Sequence, residues 1–338
     1  ADRGDAALHR GLISELLRVL GIDSDEDDAK SIRAAIASDF RDVKEARHEA
    51  QKGAGGSGAP EPSVIDLILS LTEGWEPFDD GSETGFATRE TDGRIETFEL
   101  SSRRSRSLLY TSYRSTFGVA ANSTAIDEAI RNLQASAIVD GERHDTHLRF
   151  AGTLEEVWYD LADDDRRAVV ITKDGWEVTG RPNPRFIRSS NTQPQVLPVS
   201  GGTLDLLWKF IRVPSDAMKH LILSWLVGCF FADAPRWGAI ITGIQGTAKT
   251  TATKMLRRIA DPAKALTSRC PRTDKDLAIK CLINAVLTFD NLSRLSQDVA
   301  DVLCSTLTGE GYEARQLFTD KETVIFTFRR PLILNGIG

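Results

Sequence analysis

Apolar positions recur along the chain in two patterns, one at helical spacing and one alternating. Leu8, Leu12, Ile13, Leu16, Leu17 and Leu20 repeat at helical spacing, which predicts an amphipathic helix over residues 5–20, ended by Gly21. A more polar helical stretch covers residues 29–51, after an acidic turn at 23–28. Residues 53–62 are rich in Gly, Ser and Pro and read as a flexible linker. Residues 63–72 form a short helix through Val64, Ile65, Leu67, Ile68 and Leu71. Residues 86–91 and 94–100 alternate in polarity about Asp92-Gly93, a strong hairpin signal. Ser101 or Ser102 then caps a helix carrying Leu108, Leu109, Tyr110 and Tyr113, and residues 123–137 form another. Segments 148–150, 156–161, 168–172 and 176–178 are strand-like, with a second tight hairpin at Asp174-Gly175. An irregular polar stretch, 181–195, closes this region. From Thr203 the pattern is helical again, and residues 217–231 form a strongly apolar helix. Its apolar run, 221–232, is shorter than the roughly 20 residues that cross a bilayer, so it reads as a buried helix. Four parts result: an N-terminal helical segment (1–52), the linker (53–62), a mixed α/β accessory domain (63–198) and a third domain (199–338).

The third domain carries the chemistry. Residues 239–242 read as a short buried strand, 243–250 as a loop, and the helical pattern resumes at Lys249. The loop Gly243, Ile244, Gln245, Gly246, Thr247, Ala248, Lys249, Thr250 fits the phosphate-binding spacing G-x-x-x-x-G-K-[ST], with Ala248 in place of the last glycine. Strand, loop and helix in that order are the context such a motif requires. Glycines let backbone N–H groups curl around phosphate oxygens, and the helix N-terminus adds partial positive charge. Lys249 is then expected to reach the β- and γ-phosphates, Thr250 to offer its hydroxyl to Mg²⁺, and Thr251 to complete the cradle. Ala248 stands where the helix begins, a place where a methyl group is expected to be tolerated.

Downstream, residues 285–291 form a buried strand ending in Asp290-Asn291, an acid suited to hold Mg²⁺ opposite Thr250. Residues 297–307 form a helix broken by Gly309, and 312–318 and 323–328 are strand-like arms around a charged tip at 319–322. A last apolar strand ends at Asn335, whose amide is expected to polarise an attacking water or sense the γ-phosphate. Lys321 at the hairpin tip and Arg315 on its first arm are candidate DNA contacts, electrostatic and independent of sequence. Arg103, Arg104 and Arg106, followed by Tyr110 and Tyr113, mix basic and stacking residues as a DNA contact would, and a solvated basic helix face is the favoured reading.

This order of motifs resembles the superfamily III helicases of the AAA+ class. Residues 289–295, 308–312 and 331–337 look like the primase–helicase-type ATPases of phages and bacterial mobile elements. The resemblance covers about 140 residues. It implies an α/β fold with a C-terminal AAA+ P-loop ATPase core, ATP and Mg²⁺ as cofactors, and a homo-oligomeric, hexameric ring with ATP bound between subunits. It further implies hairpin tips in a channel that tracks single-stranded or forked DNA during replication. Within it Lys249, Asp290, Asn291 and Asn335 are the catalytic residues, with Thr250 and Asp290 on the metal. Two departures stand out. The family often has a second acid after the motif B aspartate, whereas Asn291 accepts no proton at neutral pH. The chain also stops at Gly338, straight after the sensor strand, so the core is expected to be truncated, with a further strand and an arginine finger beyond it.

Composition narrows the alternatives. A hydrophobic content of 41% and a charged content of 27% belong to an ordinary globular protein. A formal charge of −7 argues against non-specific coating of nucleic acid and leaves room for a local basic channel. The four cysteines make no C-x-x-C pair, which reads as free thiols in a reducing cytosol, and the N-terminus shows no signal-peptide pattern. The expected place is the cytoplasm, with no membrane partner. No paired-carboxylate polymerising site is visible in the first 200 residues, so a complete primase is not supported. Three other readings remain open: an assembly or switch ATPase without helicase activity, a DNA-binding scaffold with a vestigial nucleotide site, and a small-molecule kinase, for which the hairpin and the Asn335 strand would have no use.

Overall fold

The computed structural model describes residues 62–82, 84–232, 234–292, 295–309, 312–315, 323–326 and 328–336. The N-terminal helices expected before residue 52, most of the linker, and the hairpin tip with Lys321 lie outside the described residues. Two compact units emerge, one from residues 62–74 and 100–136, the other from 75–99 and 137–336.

The first unit is helical. Helix α1 (Val64–Ser70) begins with a reciprocal capping box, in which Asp66 N–H donates to the Ser63 hydroxyl oxygen and Ser63 N–H donates to the Asp66 carboxylate. Helix α2 (Arg103–Phe117) is capped by Ser102 and ends on Gly118 at φ 72°, a left-handed C-cap that suits glycine. Helix α3 (Ser123–Val139) follows, tied to α2 by the Arg106–Asp127 ion pair. Leu109 and Tyr113 of α2 and Ile126, Ala129, Ile130 and Leu133 of α3 are buried, as helical spacing requires of one face.

The second unit holds the strands. β1 (Trp75–Asp79), β2 (Gly85–Thr91) and β3 (Arg94–Glu99) form an antiparallel sheet that β4 (Glu142–Arg143) joins in parallel beside β1. The Asp92-Gly93 turn has φ of 53° and 73° at its two residues, the paired positive φ of the favoured hairpin turn. β5 (Thr146–His147) pairs in parallel with β10 (Arg185–Phe186) in a two-stranded sheet. Between them lies an antiparallel meander, β6 (Phe150–Gly152), β7 (Glu156–Asp160), β8 (Ala168–Thr172) and β9 (Gly175–Thr179). β1 carries too little alternation to be visible as a strand in the sequence.

Beyond residue 200 a six-residue 3-10 helix (Leu204–Lys209) precedes α4 (Asp216–Gly228). The strands β11 (Gly238–Thr242), β12 (Leu287–Leu292) and β15 (Leu332–Gly336) make a parallel sheet in the order β11-β15-β12. Helices α5 (Lys249–Ala260), α6 (Asp274–Ile283) and α7 (Gln297–Thr308) connect them, with the hairpin β13 (Tyr312–Arg315) and β14 (Thr323–Phe326) before β15. One apolar cluster runs through Phe150, Tyr159, Trp225, Leu256, Val286 and Ile333, so the meander and the parallel sheet share a core.

Two expectations about burial are corrected here. β11 is not a buried strand. It lies at the sheet edge, with Ala239 and Ile241 packed on the core and Ile240 69% exposed. Likewise α4 is not a buried helix. Trp225 and Leu226 turn inward, and Met218, Leu221 and Val227 are half-exposed. Both segments are apolar on two faces and are covered on one by the described residues. β15, flanked on both sides, is the strand buried throughout from Leu332 to Asn335.

Candidate nucleotide-binding site

The order β11-β15-β12 decides what can meet at the C-terminal ends of the strands. The loop after β11 and the acid at the end of β12 lie on either side of β15, which ends in Asn335. In parallel sheets ligands bind beyond the carboxyl ends of the strands, where loops and helix N-termini converge.

The loop leaving β11 is exposed from Ile244 to Ala248. Gly243 has φ 156° and Gly246 φ 85°. A Cβ on Gly243 would sit 3.0 Å from Thr247 Oγ1, whereas one on Gly246 would meet open space. Gly246 is thus required for its left-handed backbone and Gly243 for close packing as well. Thr247 Oγ1 donates to the Ile244 carbonyl at 2.8 Å, closing the loop from within. Lys249 folds back over it and its Nζ donates to the carbonyls of Gly243 at 2.7 Å and Ile244 at 2.8 Å.

Ala248 corrects a further expectation. It is the N-cap of α5 and sits at φ 59°, ψ 23°, the left-handed region, where its methyl group carries strain that a glycine would not. It also supplies no side-chain hydrogen bond to the first turn. An alanine N-cap costs about 0.5–2 kcal/mol against Ser, Thr, Asp or Asn. Helix stability therefore does not account for this residue, and the N–H groups of the first turn face the loop without a side-chain acceptor from the cap.

Thr250, in that first turn, donates its hydroxyl to Asp290 Oδ1 at 3.1 Å. Both residues are half-buried. At Asn291 the chain takes φ 65°, and the pairing of β12 with β15 shifts between Phe289 and Leu292. This bulge gives Asn291 a backbone reason to be asparagine, since Asn tolerates the left-handed region better than most side chains. The Asn291 N–H points to Asn335 Oδ1 at 3.5 Å, and Asn335 Nδ2 donates to Thr253 Oγ1 at 3.2 Å.

The structure thus brings Lys249, Thr250, Asp290, Asn291 and Asn335 to one end of one sheet. Gln245 and Thr251 are exposed beside it. Arg315 lies elsewhere, at the end of β13, where its backbone pairs with Thr323. Among the described residues no three His, Cys, Asp or Glu side chains converge as a metal cage. An oxygen-ligated ion at Thr250 and Asp290 would therefore draw further ligands from a bound phosphate or from water, the usual manner of Mg²⁺.

Sequence reasoning missed Thr253, Asp261 and Arg257. Thr253 follows Lys249 by four residues and shares the inward stripe of Leu256 and Ala260. A polar residue on an apolar helix face was the available signal. Asp261 and Arg257 are buried together at the far end of α5, and only the fold reveals their partner Arg149.

Comparison with known proteins gives one sequence match. Residues 204–338 match the family model of the Actinomycete integrative conjugative element replication protein. That region contains the whole site. No curated protein matches the chain significantly. Among solved structures, an apo C-terminal region of NrS-1 aligns with a TM-score of 0.41 and 15% identity, over 82% of this chain and 57% of that one. The SCCmec type IV Cch active helicase aligns with a TM-score of 0.34 and 16% identity, over 77% of this chain and 49% of that one. This chain spans about half the length of these structures. No helix among the described residues is long and apolar enough to cross a membrane.

Proposed function

We propose that the chain is an ATP- and Mg²⁺-dependent motor of the superfamily III helicase type, acting on DNA in replication of a mobile element or phage. The observation that carries this reading is the meeting of Thr250 and Asp290 at 3.1 Å, at the head of a helix entered through a glycine loop. A hydroxyl and a carboxylate at that distance are the hard oxygen donors that Mg²⁺ takes alongside phosphate. Bound Mg²⁺ supplies charge neutralisation at the phosphate oxygens.

The protein's own contribution is placement. Lys249 brings a positive charge to the rim of the loop, and the N–H groups of the first turn of α5 provide donors for the phosphates. Asp290 and Thr250 set the metal position, and Asn291 orients water without removing its proton, because an amide is no base. Catalysis is then mainly positioning and electrostatics. The match of residues 204–338 to a family of replication proteins supports DNA as the substrate, and the hairpin β13–β14 is the candidate DNA-contacting element. The active form is a hexameric ring with ATP between subunits.

The test is ATP hydrolysis by the full chain with and without single-stranded DNA. DNA is expected to stimulate turnover, and Lys321→Ala to reduce strand displacement while leaving DNA-free turnover intact. Hydrolysis that ignores DNA contradicts the helicase reading and favours an assembly or switch ATPase on the same core. One observation favours that second reading, or a scaffold with a vestigial site: Asn291 occupies the bulge position where a carboxylate would serve as base.

A further inference from the structure

Thr253 and Asn335 are uncharged polar side chains, 0% and 2% exposed, at the inner side of the candidate site. Buried polar groups must find partners inside the protein, and these two find each other. Asn335 Nδ2 donates to Thr253 Oγ1 at 3.2 Å, and the same hydroxyl donates to the Lys249 carbonyl at 3.0 Å. The other end of the Asn335 amide receives the Asn291 N–H at 3.5 Å. A line of hydrogen bonds therefore runs from the residue that opens α5, through Thr253 and Asn335, to the bulge that follows Asp290. It runs parallel in connectivity to the Thr250–Asp290 pair, since both links join the first turns of α5 to the end of β12.

We infer that Thr253 is a positioning residue for the Thr250–Asp290 pair, acting through Asn335 on the Asn291 bulge and touching neither nucleotide nor metal. The inference rests on reading the loop as a phosphate site. It gives Asn335 a part within the protein as well, since each end of its amide makes one bond to a protein group. Without the Thr253 hydroxyl, the buried Asn335 N–H has no acceptor and the amide must turn or draw in water. Turning releases the Asn291 N–H, and the bulge then loses its tie to α5. The damage falls on where Asp290 stands relative to Thr250. The line of bonds meets the loop at the Lys249 carbonyl, whereas Lys249 Nζ is held by the carbonyls of Gly243 and Ile244, so phosphate binding without metal is expected to be preserved.

The experiment is equilibrium ATP binding by the full chain, with Mg²⁺ and with chelator, for wild type, Thr253→Val, Thr253→Ser and Asn335→Ala. Metal-free affinity is expected to stay within about twofold of wild type in Thr253→Val and Thr253→Ser. The gain in affinity on adding Mg²⁺ is expected to shrink about fivefold or more in Thr253→Val and Asn335→Ala, and to return to within about twofold of wild type in Thr253→Ser. A purely structural threonine would instead weaken both conditions together. An unchanged Mg²⁺ gain in Thr253→Val, an equal loss with and without metal, or a Thr253→Ser that behaves like Thr253→Val overturns the inference. Should Thr253→Val not fold, Asn335→Ala, which keeps the Thr253–Lys249 bond, carries the expected loss of the Mg²⁺ gain. Wild type that binds ATP with no Mg²⁺ gain overturns the inference alone. Wild type that binds no ATP in either condition overturns the nucleotide site, and the inference with it.

Discussion

Arg149 and Asp261, 112 residues apart in sequence, meet at 3.1 Å with side chains 1% and 6% exposed. The Arg149 guanidinium also donates to the carbonyls of Asp160, Gln193 and Pro262. The second oxygen of Asp261 receives Arg257 at 2.8 Å and the N–H groups of Ala285 and Val286 at 3.1 Å. One buried acid thus joins the exit of α5, the entrance of β12 and the strand region around β6. Burial holds the Arg257 guanidinium below the ordinary arginine range, partly offset by Asp261. Removing the acid strands two buried cations, whereas removing Arg149 leaves Asp261 paired with Arg257. Asp261→Asn is therefore expected to cost roughly 3–5 kcal/mol of stability. Arg149→Met should cost less, about 1–3 kcal/mol. Urea unfolding followed by tryptophan fluorescence measures both, and a cost below about 1 kcal/mol for Asp261→Asn contradicts this account.

Ala248 is held in the left-handed region, which costs an L-residue about 1–2 kcal/mol relative to glycine's freedom there. Part of that gain is lost to the greater unfolded-state entropy of glycine, about 0.4–1 kcal/mol. Ala248→Gly is accordingly expected to be neutral or up to about 1 kcal/mol stabilising, with ATP binding retained. Ala248→Val, β-branched at the same φ, should be destabilising. Thermal unfolding of the two variants checks the pair, and a Gly variant clearly less stable than wild type refutes the strain argument.

The thiols divide by burial. Desolvation pushes Cys229 and Cys281 up from 9.0 to about 12, and burial also raises Cys270. Cys304 is exposed. Iodoacetamide at pH 8, mapped by mass spectrometry, is expected to modify Cys304 in the native protein and Cys229 and Cys281 only after unfolding. The same shifts act on stability. The unfolded chain releases these protons near 9, while the folded chain holds them to about 12. Their contribution is complete below pH 9 and is lost as pH rises toward 12. Urea midpoints should therefore fall on moving from neutral to strongly alkaline pH, less steeply in Cys229→Ala. Rapid native labelling of Cys281 contradicts the assignment.

Much of the secondary structure was legible because its signals are local. The Asp92-Gly93 and Asp174-Gly175 turns, the Ser102 cap and the Gly309 stop all act within a few residues. The loop, Asp290 and Asn335 were legible as separate motifs. Their convergence depends on β15 entering between β11 and β12, a long-range pairing that no window of sequence contains. The same limit explains the errors. Ile240 and Leu221 are apolar in a way that implies burial, yet they lie on an edge strand and an open helix face. Ala248 and Asn291 look like departures from a motif, and each proves to be a residue at positive φ. Thr253 showed only as a polar residue on an apolar helix face and Asp261 gave no signal, since their partners lie 82 and 112 residues away.

The most direct test of the nucleotide site is calorimetric titration of ATP into wild type and Lys249→Ala. The site predicts measurable binding by wild type and a loss of roughly 10- to 100-fold in Lys249→Ala, the range for a hydrogen-bonded charge. Equal binding by the two proteins, or none by wild type, would contradict it.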